Sequence, residues 1–366
     1  MTNVHPLHSI CPYFAMFPPG FVERYVLAFT EPGDIVFDPF SGRGTTIFES
    51  LLLGRRAYGL DINPVAACVS AAKADPPARD SLLRRIDVLR AELDDGAAVD
   101  MPDTEFFNAC FAPSTLRQVA FLRGRLDWTG SKVDRFIAAM SLGCLHGESH
   151  KSANCFSNRM PRTISTKPDY SVRWWNDRGY VAPQRDVFDI LKGQVTFRLA
   201  KGVPALVGEA RLGDVRNATK MFRKLHGSVR LIVTSPPYLD TTDYGEDQWL
   251  RLWFLGGAER PKGRLFADAR HGSSKAYWVF LSAAWRGISG LLAPDCTIVI
   301  RIGGMSFAAD ELAEGVLSSL RQGLGCNSFD IIQPFDVSEI KNRQTNVFRP
   351  GTKGKRVEYD FVIRAA

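Results

Sequence analysis

The sequence predicts an α/β fold: a mostly parallel sheet of about seven strands with helices between them, interrupted by a largely helical inserted subdomain. Three observations predict it. Strand-like and helix-like runs alternate on both sides of the chain's middle, and a Gly-rich turn links the first such strand to the first such helix. Between the two alternating parts lies an insert of about 130 residues, too long for a crossover loop and therefore a subdomain with its own task.

The elements follow in order. DIVFDPF, residues 34–40, is a β-rich run entered through EPGD and left through SGRG. TTIFESLLLG, residues 45–54, carries apolar residues at helical spacing, with Gly54 placed to end the helix. RAYGLDI, residues 56–62, reads as the second strand. Strand, turn, helix, strand is a βαβ unit, which implies parallel pairing and a right-handed crossover. In the insert, residues 79–95 and 116–145 are helical by periodicity, and the later part is polar, basic and aromatic, with Trp174 beside Trp175. Strands resume at PALVGEARLGD, VRLIVTSPP, CTIVIRIGG, FDIIQPFDV and YDFVIRA, with the amphipathic run WVFLSAAWRGISGLL among them. The expected division is one domain made of 1–75 and 206–366, with 76–205 inserted.

A chain of 366 residues, 45% hydrophobic and 23% charged, can bury a large core. No apolar run approaches the roughly 20 residues that cross a bilayer, and MTNVHPLHSICPYF lacks the layout of a signal peptide. A cytoplasmic protein with no membrane partner is expected. The seven cysteines are scattered without a C-x-x-C pair, which speaks against a disulfide framework or a ribbon-type zinc site. Cys144, His146, His150 and Cys155 cluster in CLHGESHKSANC, but their spacing fits no standard finger, so no metal is expected.

The net charge of +7 is unevenly spread. Residues 151–202 hold ten basic and four acidic side chains, and 341–356 hold six basic and none acidic. Such local surpluses suit a polyanion, nucleic acid above all. The candidate contacts are Arg159, Arg162 and Lys167 in the insert, and Arg349 and Lys353 in the later stretch.

Two motifs carry chemistry. In DPFSGRGTT, Gly42 and Gly44 follow the first strand and precede a helix, where glycine allows a tight turn and close approach of a ligand to the backbone. The third glycine of the dinucleotide fingerprint is replaced by Ile47, and no Lys-Ser/Thr pair follows, so the turn fits a nucleoside without a pyrophosphate. Asp61 ends the second strand, where a carboxylate can accept both hydroxyls of a ribose. In LIVTSPPYLD, an apolar strand stops at two prolines, which cannot donate to a sheet ladder. Ser235 and the Pro236 carbonyl offer two acceptors there, Pro236 and Pro237 restrict the backbone that aims them, and Tyr238 supplies a flat face.

The pairing FDPFSGRGTT…GLDINP with TSPPY resembles the S-adenosylmethionine-dependent methyltransferases that act on exocyclic amines of DNA bases. Phe40, Gly42 and Gly44 match their cofactor motif, and Ser235, Pro236, Pro237 and Tyr238 match their catalytic tetrapeptide. CPYFAMFPPGFVERYVLAFTEPGD resembles the segment preceding the cofactor motif, and LHGESHKSANCFSNRMPRTISTKPDY a stretch of some DNA amino-methylases. The resemblance implies a Rossmann-like methyltransferase with S-adenosylmethionine as cofactor. It implies Asp38 and Thr45 near the methionine moiety, with Phe40, Ser41, Gly42, Gly44 and Thr46 in the same motif. Asp61 would lie on the ribose, Ile62 on the adenine ring and Asp214 at the adenine amine, with Asn63 also among the cofactor-binding residues.

An exocyclic amine is a poor nucleophile because its lone pair is delocalised into the ring. Acceptors for its protons favour the more tetrahedral nitrogen that attacks a methyl group, and Tyr238 would stack on the flipped base. The resemblance implies double-stranded DNA as partner and a restriction or related defence setting. Serine at the first tetrapeptide position leans towards cytosine N4, with adenine N6 as the alternative. Methylation of cytosine carbon would call for a nucleophilic cysteine, usually after proline, and no Pro-Cys pair occurs. An RNA guanine-N2 methyltransferase is the enzyme rival, though only some 35 residues precede the cofactor motif here. An inactive methylase-like binding subunit is the non-enzyme rival, and both motifs are intact.

Overall fold

The computed structural model of the chain describes residues 4–13, 17–160, 167–239, 248–261, 273–304, 309–326, 329–339 and 357–365. They group into two compact units, one of Ala15–Ala74, Pro204–Thr242 and Ala267–Ala366, the other of Met1–Phe14, Asp75–Val203 and Asp243–Phe266.

The first unit is built on a seven-stranded sheet. Its strands are β1 (Ile35–Asp38), β2 (Arg56–Asp61), β3 (Glu209–Leu212), β4 (Val229–Thr234), β5 (Leu292–Gly304), β6 (Phe329–Glu339) and β7 (Val357–Ala365). The order is β3-β2-β1-β4-β5-β7-β6, with the pairs from β3 to β5 parallel and β7 antiparallel to both neighbours. Every run named as a strand in the sequence is a strand of this sheet. The apolar runs are long because both faces are covered. Side chains alternate between two core clusters: Phe37, Ile232, Ile298, Ile300 and Phe361 on one side, Val36, Leu231, Val233, Val299 and Val362 on the other. The first side is closed by the helices Ser274–Ile288 and Ala309–Leu324 through Tyr277, Trp285 and Leu320, and the second by helix α1 (Pro19–Phe29). Helix α1 begins at proline, whose fixed φ suits a first turn, and places Phe21, Val22, Tyr25 and Val26 on one face.

Helix α2 (Thr45–Leu52) follows β1, and α3 (Pro64–Ala74) follows β2. From β1 the chain builds outward to β2 and β3, then returns to lay β4 on the opposite side of β1. Strand order therefore reverses between β1 and β4, and in open parallel sheets the crevice beyond the carboxyl ends at such a point is where ligands bind.

The second unit is helical, with Arg79–Asp94, Glu105–Cys110, Pro113–Arg125, Lys132–Cys144, Pro168–Asn176, Val187–Arg198 and Trp249–Phe254. The periodic run 116–145 is two helices, because the Asp127 carboxylate accepts from the Thr129 hydroxyl and the Gly130 amide and closes a turn. Ser131 then caps the second helix by accepting from the Asp134 amide. Residues 248–254 join this unit through an aromatic cluster in which Trp249 and Trp253 lie 5.0 Å from Phe106 and 4.5 Å from Phe107 respectively, centroid to centroid. The opening segment packs there too: a Cβ at Gly143 would lie 2.0 Å from the Ile10 carbonyl oxygen, so only glycine fits. Among the described residues no helix is long and apolar enough to cross a membrane.

Candidate active site

The Gly-rich turn and the tetrapeptide leave the carboxyl ends of neighbouring strands. Thr234, the last residue of β4, donates its hydroxyl to Asp38 Oδ1, the last residue of β1, at 2.7 Å. Thr46 donates to the Val233 carbonyl at 3.1 Å, which ties α2 to β4 as well. Asp38 is buried and also accepts from the Phe40 amide at 3.1 Å. Burial pushes its carboxyl up to about 6, against the lowering effect of the Thr234 and Thr46 hydroxyls and the Phe40 amide; Asp61 adds a smaller upward push.

The turn itself is held by main-chain contacts. Gly42 and Gly44 have φ of +49° and +74°. Gly44 caps α2, and a Cβ there would stand 2.8 Å from Ser70 Cα, so its glycine is required for packing α2 against α3. Buried Ser41 donates its hydroxyl to Ser70 Oγ at 3.3 Å, and Thr45 and Thr46 are buried in the first turn of α2. At the end of β2, Asp61 Oδ2 accepts from the Gly42 amide and Oδ1 from the Asn63 amide, each at 2.9 Å. Asn63 is buried and caps α3 by accepting from the Val65 amide at 2.9 Å, while Ile62 is 49% exposed. Asp214 lies two residues beyond β3 and is paired with Arg216, which holds its carboxyl below the usual range.

In the tetrapeptide Ser235, Pro237 and Tyr238 are half-buried and Pro236 is buried. The Ser235 hydroxyl reaches Tyr238 Oη at 3.4 Å, and Tyr238 Oη donates to Glu358 Oε1 at 3.0 Å. Glu358 lies on β7, 3.8 Å from Arg301 of β5, and Arg301 makes two bonds of 2.7 Å to Asp360. The Arg301 guanidinium also lies 3.8 Å from the Phe21 ring centroid. Burial raises both the Glu358 carboxyl and the Tyr238 phenol, and Arg301 opposes the rise at Glu358. Thr234, Glu358, Arg301 and Asp360 escaped the sequence reading. The available signal was charged residues set inside TIVIRIGG and VEYDFVIR, strands otherwise apolar enough to be covered on both faces.

Of the basic candidates, Arg159 is half-buried with its guanidinium 4.5 Å from the Tyr180 ring centroid, and Lys167 is exposed before the helix Pro168–Asn176. Trp175 is buried and donates its indole N–H to the Arg159 carbonyl at 2.8 Å, so it serves the core of its unit; Trp174 stacks edgewise with Tyr180. Arg162, Arg349 and Lys353 lie outside the described residues. Cys144, His146 and Cys155 are buried, and among the described residues no group of three or more potential ligands could hold a metal ion.

A mostly parallel sheet whose one antiparallel strand, β7, lies next to the edge strand β6, with two motifs at the topological switch point, is a Rossmann-like arrangement. Residues 2–71 match the family model described as DNA methylase, of the N6/N4 methyltransferase type. Over 67 residues it is 36% identical to the type II methyltransferase M.MjaII of Methanocaldococcus jannaschii, covering 18% of this chain and 13% of that one. It is 50% identical over 46 residues to M.BglII of Bacillus subtilis, covering 13% of each chain. It is 44% identical over 46 residues to the DNA adenine methyltransferase YhdJ of Escherichia coli, covering 13% of this chain and 16% of that one. The matches thus span under a fifth of these relatives.

Proposed function

We propose that the protein methylates an exocyclic amine of a base in double-stranded DNA, with cytosine N4 as the preferred target. The observation that carries this reading is the Thr234–Asp38 hydrogen bond, which joins the tip carrying the Gly-rich turn to the tip carrying Ser-Pro-Pro-Tyr. The residues present fit the cofactor. The carboxylate of Asp61 is aimed by two main-chain donors at the strand end where a ribose would lie. Ile62 presents exposed apolar surface at the same strand end, suited to a purine face. Asp38, Phe40, Ser41, Gly42, Gly44, Thr45 and Thr46 would shape the methionine side. Asn63 would hold the strand end, and Asp214 would meet the adenine amine.

S-adenosylmethionine supplies an electrophilic methyl group when bound. Ser235 Oγ and the Pro236 carbonyl accept the amine's protons and favour its tetrahedral form; the two prolines keep those acceptors aimed before the base arrives. Tyr238 offers its ring to the base. Serine is too weak a base to ionise the amine beforehand, so proton loss follows transfer. The helical unit, with Arg159 and Lys167, serves target recognition in this reading, and a restriction or defence partner fits the type II relatives. Adenine N6 is the second reading, favoured by the match to YhdJ.

The test is expression in a methylation-free host followed by sequencing that separates N4-methylcytosine from N6-methyladenine. One modified base at a defined motif is expected, lost in Ser235→Ala. Unmodified DNA together with no S-adenosylmethionine binding by calorimetry would overturn the reading; N6-methyladenine alone would overturn the cytosine preference.

A further inference from the structure

We infer that Glu358 is a positioning residue that sets the direction of the hydrogen-bond chain ending at Ser235, so that the serine presents its lone pairs to the target amine. The inference rests on the reading of Ser235 and Tyr238 as the base pocket. Nothing in the cofactor or tetrapeptide motifs points to it, since Glu358 follows Tyr238 by 120 residues.

Hydroxyl groups can donate or accept, and a Ser–Tyr pair alone has no preferred direction. An ionised carboxylate removes the choice because it only accepts. With Glu358 Oε1 at 3.0 Å, the Tyr238 proton must point to Glu358, which leaves Tyr238 Oη to accept from Ser235 at 3.4 Å. Ser235 then has its single proton committed away from the pocket, and its lone pairs remain for the N–H groups of the amine. Reversed, the same serine would point a proton at a nitrogen whose own protons need an acceptor.

Burial and the Asp360 charge raise the Glu358 carboxyl, and Arg301 and the Tyr238 hydroxyl oppose that rise, Arg301 without capturing the carboxylate. Asp360, one step along the same face of β7, takes both bidentate bonds from Arg301, so Arg301 reaches Glu358 only at 3.8 Å. The register explains this: Arg301 lies directly opposite Asp360, while Glu358 lies opposite Gly303. The carboxylate is thereby left for the tyrosine, and Arg301 supplies compensating charge. The same contact holds the ring of Tyr238 in one orientation.

The experiment is single-turnover transfer of radiolabelled methyl groups from S-adenosylmethionine to PCR-amplified bacterial genomic DNA, which carries no modification. Glu358→Gln, whose amide can donate to Tyr238 and reverse the chain, should slow transfer about tenfold with S-adenosylmethionine affinity unchanged. Tyr238→Phe, which cuts the chain but keeps the ring, should slow it similarly. Because the effect passes through Tyr238, Tyr238→Phe/Glu358→Gln should be no slower than Tyr238→Phe. Likewise Ser235→Ala/Glu358→Gln should match Ser235→Ala. Wild-type rate in Glu358→Gln, or a further tenfold loss on either background, overturns the proposal; the multiplicative pattern would mark a structural role through Arg301. Should Glu358→Gln fail to fold, Tyr238→Phe decides alone, and a wild-type rate there overturns it. Wild-type rate in Ser235→Ala would instead overturn the tetrapeptide reading itself.

Discussion

The tips of β1 and β4 meet at one hydrogen bond but are held by different means. The β1 tip is secured locally, within about thirty residues: Gly44 packs on Ser70, the Gly42 and Asn63 amides aim Asp61, and Asn63 caps α3. The β4 tip has rigid prolines in its backbone, but the hydroxyl of Tyr238 is held from β7, and β7 in turn is tied to β5 through Arg301 and Asp360. Contacts that close a turn can be written into one short stretch. The tyrosine hydroxyl at the end of β4 is held instead from β7, two positions away in the sheet.

The largest expected effect breaks the local half of that comparison. In Gly44→Val a branched side chain would sit at φ +74° and 2.8 Å from Ser70 Cα. Left-handed strain and overpacking together should cost on the order of 4 kcal/mol of folding stability, read from urea unfolding. A loss below about 1 kcal/mol would show that the turn is not held by this packing.

The joint between the tips gives the next effect. Asp38 has its folded pKa raised from 3.8 to about 6, so it adds stability that is present below 3.8 and lost as pH rises through about 6. Stability of the wild type relative to Asp38→Asn should therefore fall by on the order of 2–3 kcal/mol between about pH 4 and pH 7. Bound S-adenosylmethionine, whose cationic end would lie beside Asp38, should shrink that fall by favouring the carboxylate. A pH-independent difference would mean that Asp38 is not desolvated at the joint.

The smallest effect uses the helical unit as a reference that belongs to neither tip. Charge reversal at Arg159 and Lys167 should weaken DNA binding by about 1 kcal/mol or somewhat more, and lower the salt slope by about 2. S-adenosylmethionine affinity should stay at the wild-type value in calorimetry. Unchanged DNA affinity with poorer cofactor binding would give these residues a structural task and remove target recognition from this unit.

All seven strands, the βαβ opening and both motifs were legible because each is encoded in neighbouring residues: β-rich runs, glycines at a turn, prolines at a strand end. The surplus of charge in the insert was legible as well, whereas the structural use of Trp175 was not, because an aromatic pair reads the same whether it faces solvent or a core. The sequence by itself determined the strands, the Gly-rich turn and the tetrapeptide, since short β-rich apolar runs bounded by glycine and proline suffice for those. Only the tertiary structure decided that Thr234 meets Asp38 and that Glu358 takes the Tyr238 proton. Both depend on which strands become neighbours, and strand order is set by burial over the whole sheet rather than by any stretch of chain.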